Sequence, residues 1–283
     1  GLPWVRLERD LVVGLERTPE GLRVRTKNTA EFLDASVVIG CDGRRSFARR
    51  CLDLEGEPPL RHRRWGARQH FVCSPWRDEV EVTWADGVEA YVTPVAEDCV
   101  GVAWLWDPKR FLPEPAGARL AEGLMRPFEH LEVRLRGCRS ASSLLACGPM
   151  AGAASAAHSN RALLLGDALG FHDGITGEGL SVALCGALHI GALLPELWRS
   201  GRLSASDLQP LADRLTGDFA HAGRMAKLAL GLADNPAYRR RAVRMLARSP
   251  LSFTHLLEFG MARRSLRQFP FGELGRLGLG LFK

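Results

Sequence analysis

The chain is short of lysine. Four lysines, at 27, 109, 227 and 283, stand against 34 arginines. That skew reads as the imprint of a GC-rich genome rather than as a nucleic-acid surface, since no recognised binding fold accompanies the charge. There is no C-x-x-C, and the seven cysteines (41, 51, 73, 99, 138, 147 and 185) are odd in number and scattered. This excludes a disulfide framework and a zinc site; it predicts reduced, mostly buried thiols and a cytoplasmic setting. No apolar run reaches bilayer-spanning length, because 180–194 is interrupted by His189 and ended by Pro195. Signal peptides, internal repeats and low-complexity stretches are missing from the 283 residues as well. Nor does any G-x-G-x-x-G follow a strand: Gly275, Gly278 and Gly280 come late, after helical sequence.

What is present suffices for a real core, in one large or two modest domains, at 46 % hydrophobic residues. The net charge of +6 is unevenly spread. From Tyr238 onward the balance is +8, and everything before it carries −2. The excess sits in a tail where Arg239, Arg240, Arg241, Arg244 and Arg248 fall at helical spacing. A solvated helix face is the default reading. With Phe253, Leu256, Leu257, Phe259 and the final LGLGLF, the tail also has the basic-plus-apolar pattern of peripheral contact with an anionic membrane.

Periodicity predicts a hairpin over 11–16 and 22–26, turning at Thr18-Pro19-Glu20-Gly21, and then a strand over 37–40. Runs of β-rich sequence between Trp65 and Trp106 predict an antiparallel sheet. A helix is expected over 116–131, and a strand over 144–150 leading back into the first domain. Helices are expected over 179–199, 205–232, 236–248 and 251–268, with Ser204, Asn235 and Ser249 at cap positions.

Two segments carry chemistry. In RALLLGDALGFHDGITGEGLSVALCGALHIGALL (161–194), an apolar strand over 162–165 ends in Gly166-Asp167 and Ala168. After a loop, Gly177-Glu178-Gly179-Leu180 opens a long apolar helix. A carboxylate at a strand end accepts hydrogen bonds from ligand hydroxyls. Glycines at a helix start let a flat ligand reach backbone N–H groups and the positive end of the dipole. In ASVVIGCDGRRSFARR (35–50), a strand closes in the turn Cys41-Asp42-Gly43, and Ser46 is placed to cap a short helix.

The first segment resembles the second FAD-binding signature of flavoprotein oxidoreductases related to the aromatic hydroxylases. The second resembles that family's D-G-x-x-S-x-x-R fingerprint, with Asp42, Gly43, Ser46 and Arg49 in step. The resemblance implies an α+β chain: an FAD-binding, Rossmann-like domain with an inserted antiparallel-sheet substrate domain and a C-terminal helical region. The expected divisions are 1–60 and 146–200 for the FAD domain, 61–145 for the sheet and 201–283 for the helices. It implies FAD contacts at Asp42, Gly43, Gly166, Asp167, Ala168, Gly177, Gly179 and Leu180. NAD(P)H is the implied electron donor. The family's proline is replaced here by Gly174. Because the family's G-x-G-x-x-G βαβ has no counterpart, the chain is expected to be a fragment that holds FAD weakly or not at all and is inactive alone.

The flavin carries this family's chemistry, so no catalytic side chain is required; His172 is the nearest candidate base, beside its reading as a loop histidine. No metal site is expected. Tyr91 and Trp104 are candidate substrate-pocket aromatics on the sheet. Trp104-Leu105-Trp106-Asp107-Pro108 looks superficially like the halogenase W-x-W-x-I-P motif, but it lacks the isoleucine and its proline falls one residue early. The expected activity is that of a monooxygenase acting on a small apolar or aromatic substrate with NAD(P)H and O₂. Two alternatives stand beside it. One is a flavin reductase of isoprenoid double bonds, similar to the geranylgeranyl reductases. The other is a basic membrane- or polyanion-binding protein without flavin.

Overall fold

The computed structural model of the chain describes residues 3–29, 31–57, 64–150 and 152–260. It divides into two compact units. The first comprises Gly1–Pro59, Gly152–Phe171 and Gly179–Ala220; the second comprises Leu60–Ala151, His172–Glu178 and His221–Lys283. The division therefore cuts across the expected 146–200 and 201–283 segments: the loop 172–178 groups with the sheet unit, and residues up to 220 group with the first.

The chain opens with an antiparallel meander, β1 (Val12–Arg17), β2 (Leu22–Thr26) and β3 (Leu33–Ala35). Its first turn is closed by Thr18, whose Oγ1 accepts from the Gly21 amide at 3.0 Å. Then follow β4 (Val38–Gly40), α1 (Phe47–Cys51) and β5 (Glu55–Gly56). The sheet unit supplies β6 (Trp65–Val72), β7 (Glu81–Ala85), β8 (Val88–Ala96), β9 (Cys99–Trp106), α2 (Leu120–Met125), α3 (Glu129–Leu135), β10 (Arg139–Ser140) and β11 (Leu145–Cys147). After it come β12 (Gly152–Ala154), β13 (His158–Ser159), β14 (Ala162–Leu164) and β15 (Gly170–Phe171). The helices α4 (Gly179–Arg199), α5 (Ala205–Asp234), α6 (Pro236–Ala247) and α7 (Pro250–Gly260) complete the described chain.

The first unit is built around a parallel pair, with Ala162, Leu163 and Leu164 of β14 beside Val38, Ile39 and Gly40 of β4. Parallel strands are covered on both faces and so read as uninterrupted apolar runs. Ala162, Leu163 and Leu164 are fully buried accordingly. Leu22, Leu52, Leu54, Leu208, Leu211 and Leu215 fill the same core. In α4, Gly186 lets the helix close onto that core, since a Cβ there would lie 2.3 Å from Leu165 Cδ1. Its opposite face is bare, with Leu180, Leu184 and Leu188 exposed.

The expectation that no segment reaches bilayer-spanning length needs correction. On length and composition α4 does, at 21 residues and a mean hydropathy of 1.6. His189 nevertheless pairs with Asp218 of α5 at 3.1 Å, and Gly186, Ile190 and Leu194 are buried, so α4 is a working part of this unit's core.

The second unit is a six-stranded sheet, β10-β6-β9-β8-β7, with β11 also on β6. Side chains alternate between faces. Ala67, Ala90 and Trp104, which stand side by side, point to the face packed by Leu124, Phe128, Leu131 and Leu135 of α2 and α3. Arg68, Tyr91 and Ala103 share the other face. The single helix expected over 116–131 is two: Arg126-Pro127 breaks it, because proline removes an amide and clashes with the preceding turn. The strand expected over 144–150 shrinks to β11, and it pairs with β6 instead of leading into the first unit. Part of the helix expected over 251–268, and the LGLGLF end, lie outside the described residues.

Candidate functional site

The strand β14 gives way to a tight 3-10 turn, Gly166–Ala168. Gly166 has φ +60, a conformation open to glycine with little penalty. The turn presents Asp167, half-buried, with no hydrogen-bond partner among the described residues. Burial pushes its carboxyl above the ordinary range, and the charge of Arg44 offsets this only in part. The first residue of α4 lies beside it. A Cβ built on Gly179 would meet only Asp167 Oδ1, at 3.8 Å, so bare backbone opens the helix and no side chain plugs the approach. Gly177, at φ +69, has nothing within 4 Å of the place its Cβ would take. Leu180 is 72 % exposed and contributes backbone only. In the first unit, then, the structure brings together Gly166, Asp167, Ala168, Gly179 and Leu180.

The D-G turn does different work from that expected of Asp42. Its Oδ2 accepts from the amides of Phe47 (2.6 Å) and Ala48 (2.9 Å), capping α1. Burial alone would raise this carboxyl, but Ser46 and those amides outweigh it and hold it below the ordinary value. That oxygen is committed to the helix end, where it shapes the turn. Gly43 has φ +79 and open space around it, as the turn requires. Ser46 Oγ accepts from the Arg49 amide at 2.9 Å, as its position predicts.

Arg49 is the residue whose role sequence reasoning missed. It is 4 % exposed. Its guanidinium donates to the carbonyls of Ala168 (3.0 Å) and Arg44 (2.9 Å), and its Nε to Glu55 (3.2 Å). The arginine of the second motif thus holds the backbone next to Asp167 of the first. Two signatures 119 positions apart are one structural object.

In the second unit, Arg64 donates to two buried carboxylates, Glu89 and Asp173, the latter at 3.3 Å. Asp173 Oδ1 also accepts from the Ile175 amide at 2.9 Å. Tyr91 donates its hydroxyl to the Ile175 carbonyl at 3.0 Å. The loop 172–178 is therefore tied to the sheet at both ends of Ile175. The Tyr91 hydroxyl gives its hydrogen bond to the loop, and the expectation for Trp104 changes. Trp104 is 0 % exposed in the helix-covered core, and the two-residue period that puts it beside Ala90 turns it away from the Tyr91 face. They cannot line one pocket. His172 packs flat against α5, where a Cβ on Gly223 would lie 2.5 Å from its ring. Among the described residues, no cluster of three or more His, Cys, Asp or Glu is arranged to hold a metal.

Solved structures with this architecture carry titles that name halogenases, a hydroxylase and a Diels-Alderase. The flavin-dependent brominase Bmp2 superposes at TM-score 0.78 and 12 % identity, covering 99 % of this chain and 71 % of that one. Halogenase PltM in complex with phloroglucinol and FAD matches at 0.73 and 14 %, covering 85 % and 52 %. The anhydrotetracycline hydroxylase OxyS from Streptomyces rimosus matches at 0.67 and 18 %, covering 89 % and 51 %. The fold is that of flavin-dependent halogenases. The chain spans about half the length of PltM and OxyS. No protein-family model and no curated protein matches it.

The halogenase-like fold does not reinstate the tryptophan motif. Trp104 and Trp106 are 0 % and 4 % exposed, sheet aromatics in a helix-packed core. Arg64 and Glu89 carried a faint signal in the sequence. Glu89 interrupts an apolar strand, and a charge on a strand's inner face asks for a partner. Nothing in the chain order says that the partner stands 25 residues upstream.

Proposed function

We propose that the chain is the FAD-holding and substrate-facing part of an FAD-dependent oxidoreductase, a monooxygenase that draws electrons from NAD(P)H and inserts oxygen from O₂ into a small apolar or aromatic molecule. The observation that carries this reading is the unpartnered Asp167 carboxylate beside the bare opening of α4. A half-buried acceptor without a protein donor fits a polyhydroxylated chain, as in the ribityl arm of FAD. Adjacent helix-opening amides fit a ring that gathers negative charge on reduction. Bound FAD would supply the redox chemistry. The protein's own part is positional: Asp167 accepts hydrogen bonds from the hydroxyls, Gly166 and Gly179 keep the approach clear, and Arg49 fixes the Ala168 carbonyl and with it the turn.

Flavin binding by the chain tests this. Asp167→Ala should weaken it tenfold or more, the loss of charge-assisted hydrogen bonds amounting to roughly 1.5–3 kcal/mol. Gly179→Val should weaken it similarly while leaving the melting temperature unchanged, since its Cβ has room within the protein. Equal flavin affinity in wild type and both variants would sink the proposal. A reductase of isoprenoid double bonds is the second reading, favoured by the wording GFHDGITGEGL, with Gly174 in place of the hydroxylases' proline. Oxygen separates the two: a monooxygenase consumes O₂ in step with product, and a reductase makes product without it.

A further inference from the structure

We propose that Cys73 and Cys138 form a reversible cross-strand disulfide that pins the edge strand β10 and the end of α3 to β6. The pairing of β6 with β10 sets Arg139 opposite Val72 and Ser140 opposite Phe71. One step further along the same register, Cys138 stands directly opposite Cys73. The Cys73 amide donates to Asp98 and the Cys138 amide to Leu135, so the two residues share no backbone bond. Theirs is a non-hydrogen-bonded antiparallel pair, the kind in which Cα atoms come closest, about 4.5 Å apart. That falls within the span a disulfide bridges, about 4.4–6.8 Å.

Directly opposed residues also point to one face, and both thiols pack on the α2–α3 core. Each thiol donates to a nearby carbonyl, Cys73 to Ser74 (3.7 Å) and Cys138 to Arg134 (3.8 Å), and the two thiols lie close enough for Cys138 to raise that of Cys73. Cys99 is no competitor: it stands opposite Val72, so its side chain lies on the other face from Cys73. The position has mechanical sense. The strand β10 is two residues long, sits at the sheet edge, and follows the α3 end through Gly137 at φ +80. A covalent link there would hold a segment whose ladder alone is slight.

Oxidised glutathione is an adequate oxidant class. One thiolate attacks it, forming a mixed disulfide and releasing one glutathione. The second thiolate then attacks the protein sulfur of that mixed disulfide, releasing the other glutathione, so two thiols and one glutathione disulfide become one protein disulfide and two glutathione thiols. Burial, reinforced by Cys138, raises the Cys73 thiol above its ordinary value, so its thiolate is scarce at neutral pH and closure quickens as pH rises.

The test is incubation of the full chain with oxidised glutathione at about pH 7 and about pH 9, followed by alkylation and peptide mapping. The expected result is a Cys73–Cys138 cross-linked peptide, a mass lower by two hydrogens, the other five cysteines alkylated, and faster closure at the higher pH. Either Cys73→Ser or Cys138→Ser should trap glutathione on the cysteine that remains. The oxidised wild type should melt several degrees higher than the reduced form, and the double serine variant should ignore the oxidant. A different pair closing first, a mixed disulfide that persists in the wild type, both single variants staying free of glutathione, or a lower melting temperature on oxidation would each overturn the proposal.

Discussion

Among the described residues each unit buries one arginine, and the two are satisfied in opposite ways. Arg49 is held mainly by carbonyl oxygens, and its one carboxylate, Glu55, is half in solvent. Arg64 faces two carboxylates, and the side chains of Glu89 and Asp173 are 1 % and 0 % exposed. Carbonyl partners carry no net charge and ask nothing of pH. Two buried carboxylates share one guanidinium, and a dry interior penalises the charged form of each, which favours a retained proton. The Glu89 carboxyl is raised accordingly, by burial above all, with Arg64 opposing and Asp173 adding to the rise. Arg49 is a backbone clamp; Arg64 is the hub of an ionic cluster that ties a loop to a sheet.

The sharpest way to break that contrast is to remove the hub. Arg64→Met keeps most of the volume and deletes the charge, taking the shared guanidinium away from two buried carboxylates. Removal of one partner from a buried ionic cluster costs about 3–5 kcal/mol, most of it the penalty on the charges left behind. Urea unfolding of the full chain should show a loss of that size. A loss under about 1 kcal/mol would mean that the cluster is hydrated in solution and that the comparison is wrong.

Arg49→Met should hurt less, by roughly 2–3 kcal/mol, because it orphans two carbonyls while Glu55 turns to water. Its second effect is local. With the Ala168 carbonyl released, Asp167 loses its fixed position, so flavin affinity should fall even where the fold survives. Arg64→Met acts on stability through another set of contacts, and a fall in flavin affinity from Arg49→Met larger than its stability loss explains would mark the clamp's separate role. If Arg49→Met leaves flavin affinity unchanged, the two motifs are not mechanically joined.

The contrast also explains what could be read from the chain. The parallel pair was legible because buried parallel strands are continuous apolar runs, and the Gly166-Asp167 turn because it sits where such a run stops. Ser46 as a cap followed from its three-residue offset to the amide of Arg49. Each of these is local. That Asp42 caps the next helix was not legible, because a carboxylate after a strand looks the same whether it meets a ligand or the next helix's amides. Trp104 was misplaced for want of register: one residue's shift along a strand moves a side chain to the other face, and only the pairing of Ala90 with Trp104 fixes which face that is. Arg64, Glu89 and Asp173 come from three separate segments, so no window of sequence contains their cluster. The halving of the 116–131 helix was within reach, since Pro127 was visible and only the far half's extension to Leu135 was not.

The finest test of the comparison is its dependence on pH. Glu89 is raised in the folded chain above its ordinary value of about 4.3. Below that value the carboxyl is protonated in folded and unfolded chains alike, and whatever stability it lends is fully present. As pH climbs past it, the unfolded chain gives up the proton while the folded chain keeps it. The folded state then binds more protons than the unfolded one, and stability falls with rising pH until the folded carboxyl ionises too. Glu89→Gln cannot titrate, and its amide oxygen still accepts from Arg64. The difference in unfolding free energy between wild type and this variant, followed from about pH 4 to about pH 8, should therefore move steadily in the variant's favour. At neutral pH the substitution should be neutral or mildly stabilising, by about 1 kcal/mol or less. Parallel pH curves for wild type and Glu89→Gln would show that solvent relieves the burial penalty on that carboxyl, and the distinction between clamp and hub would reduce to geometry.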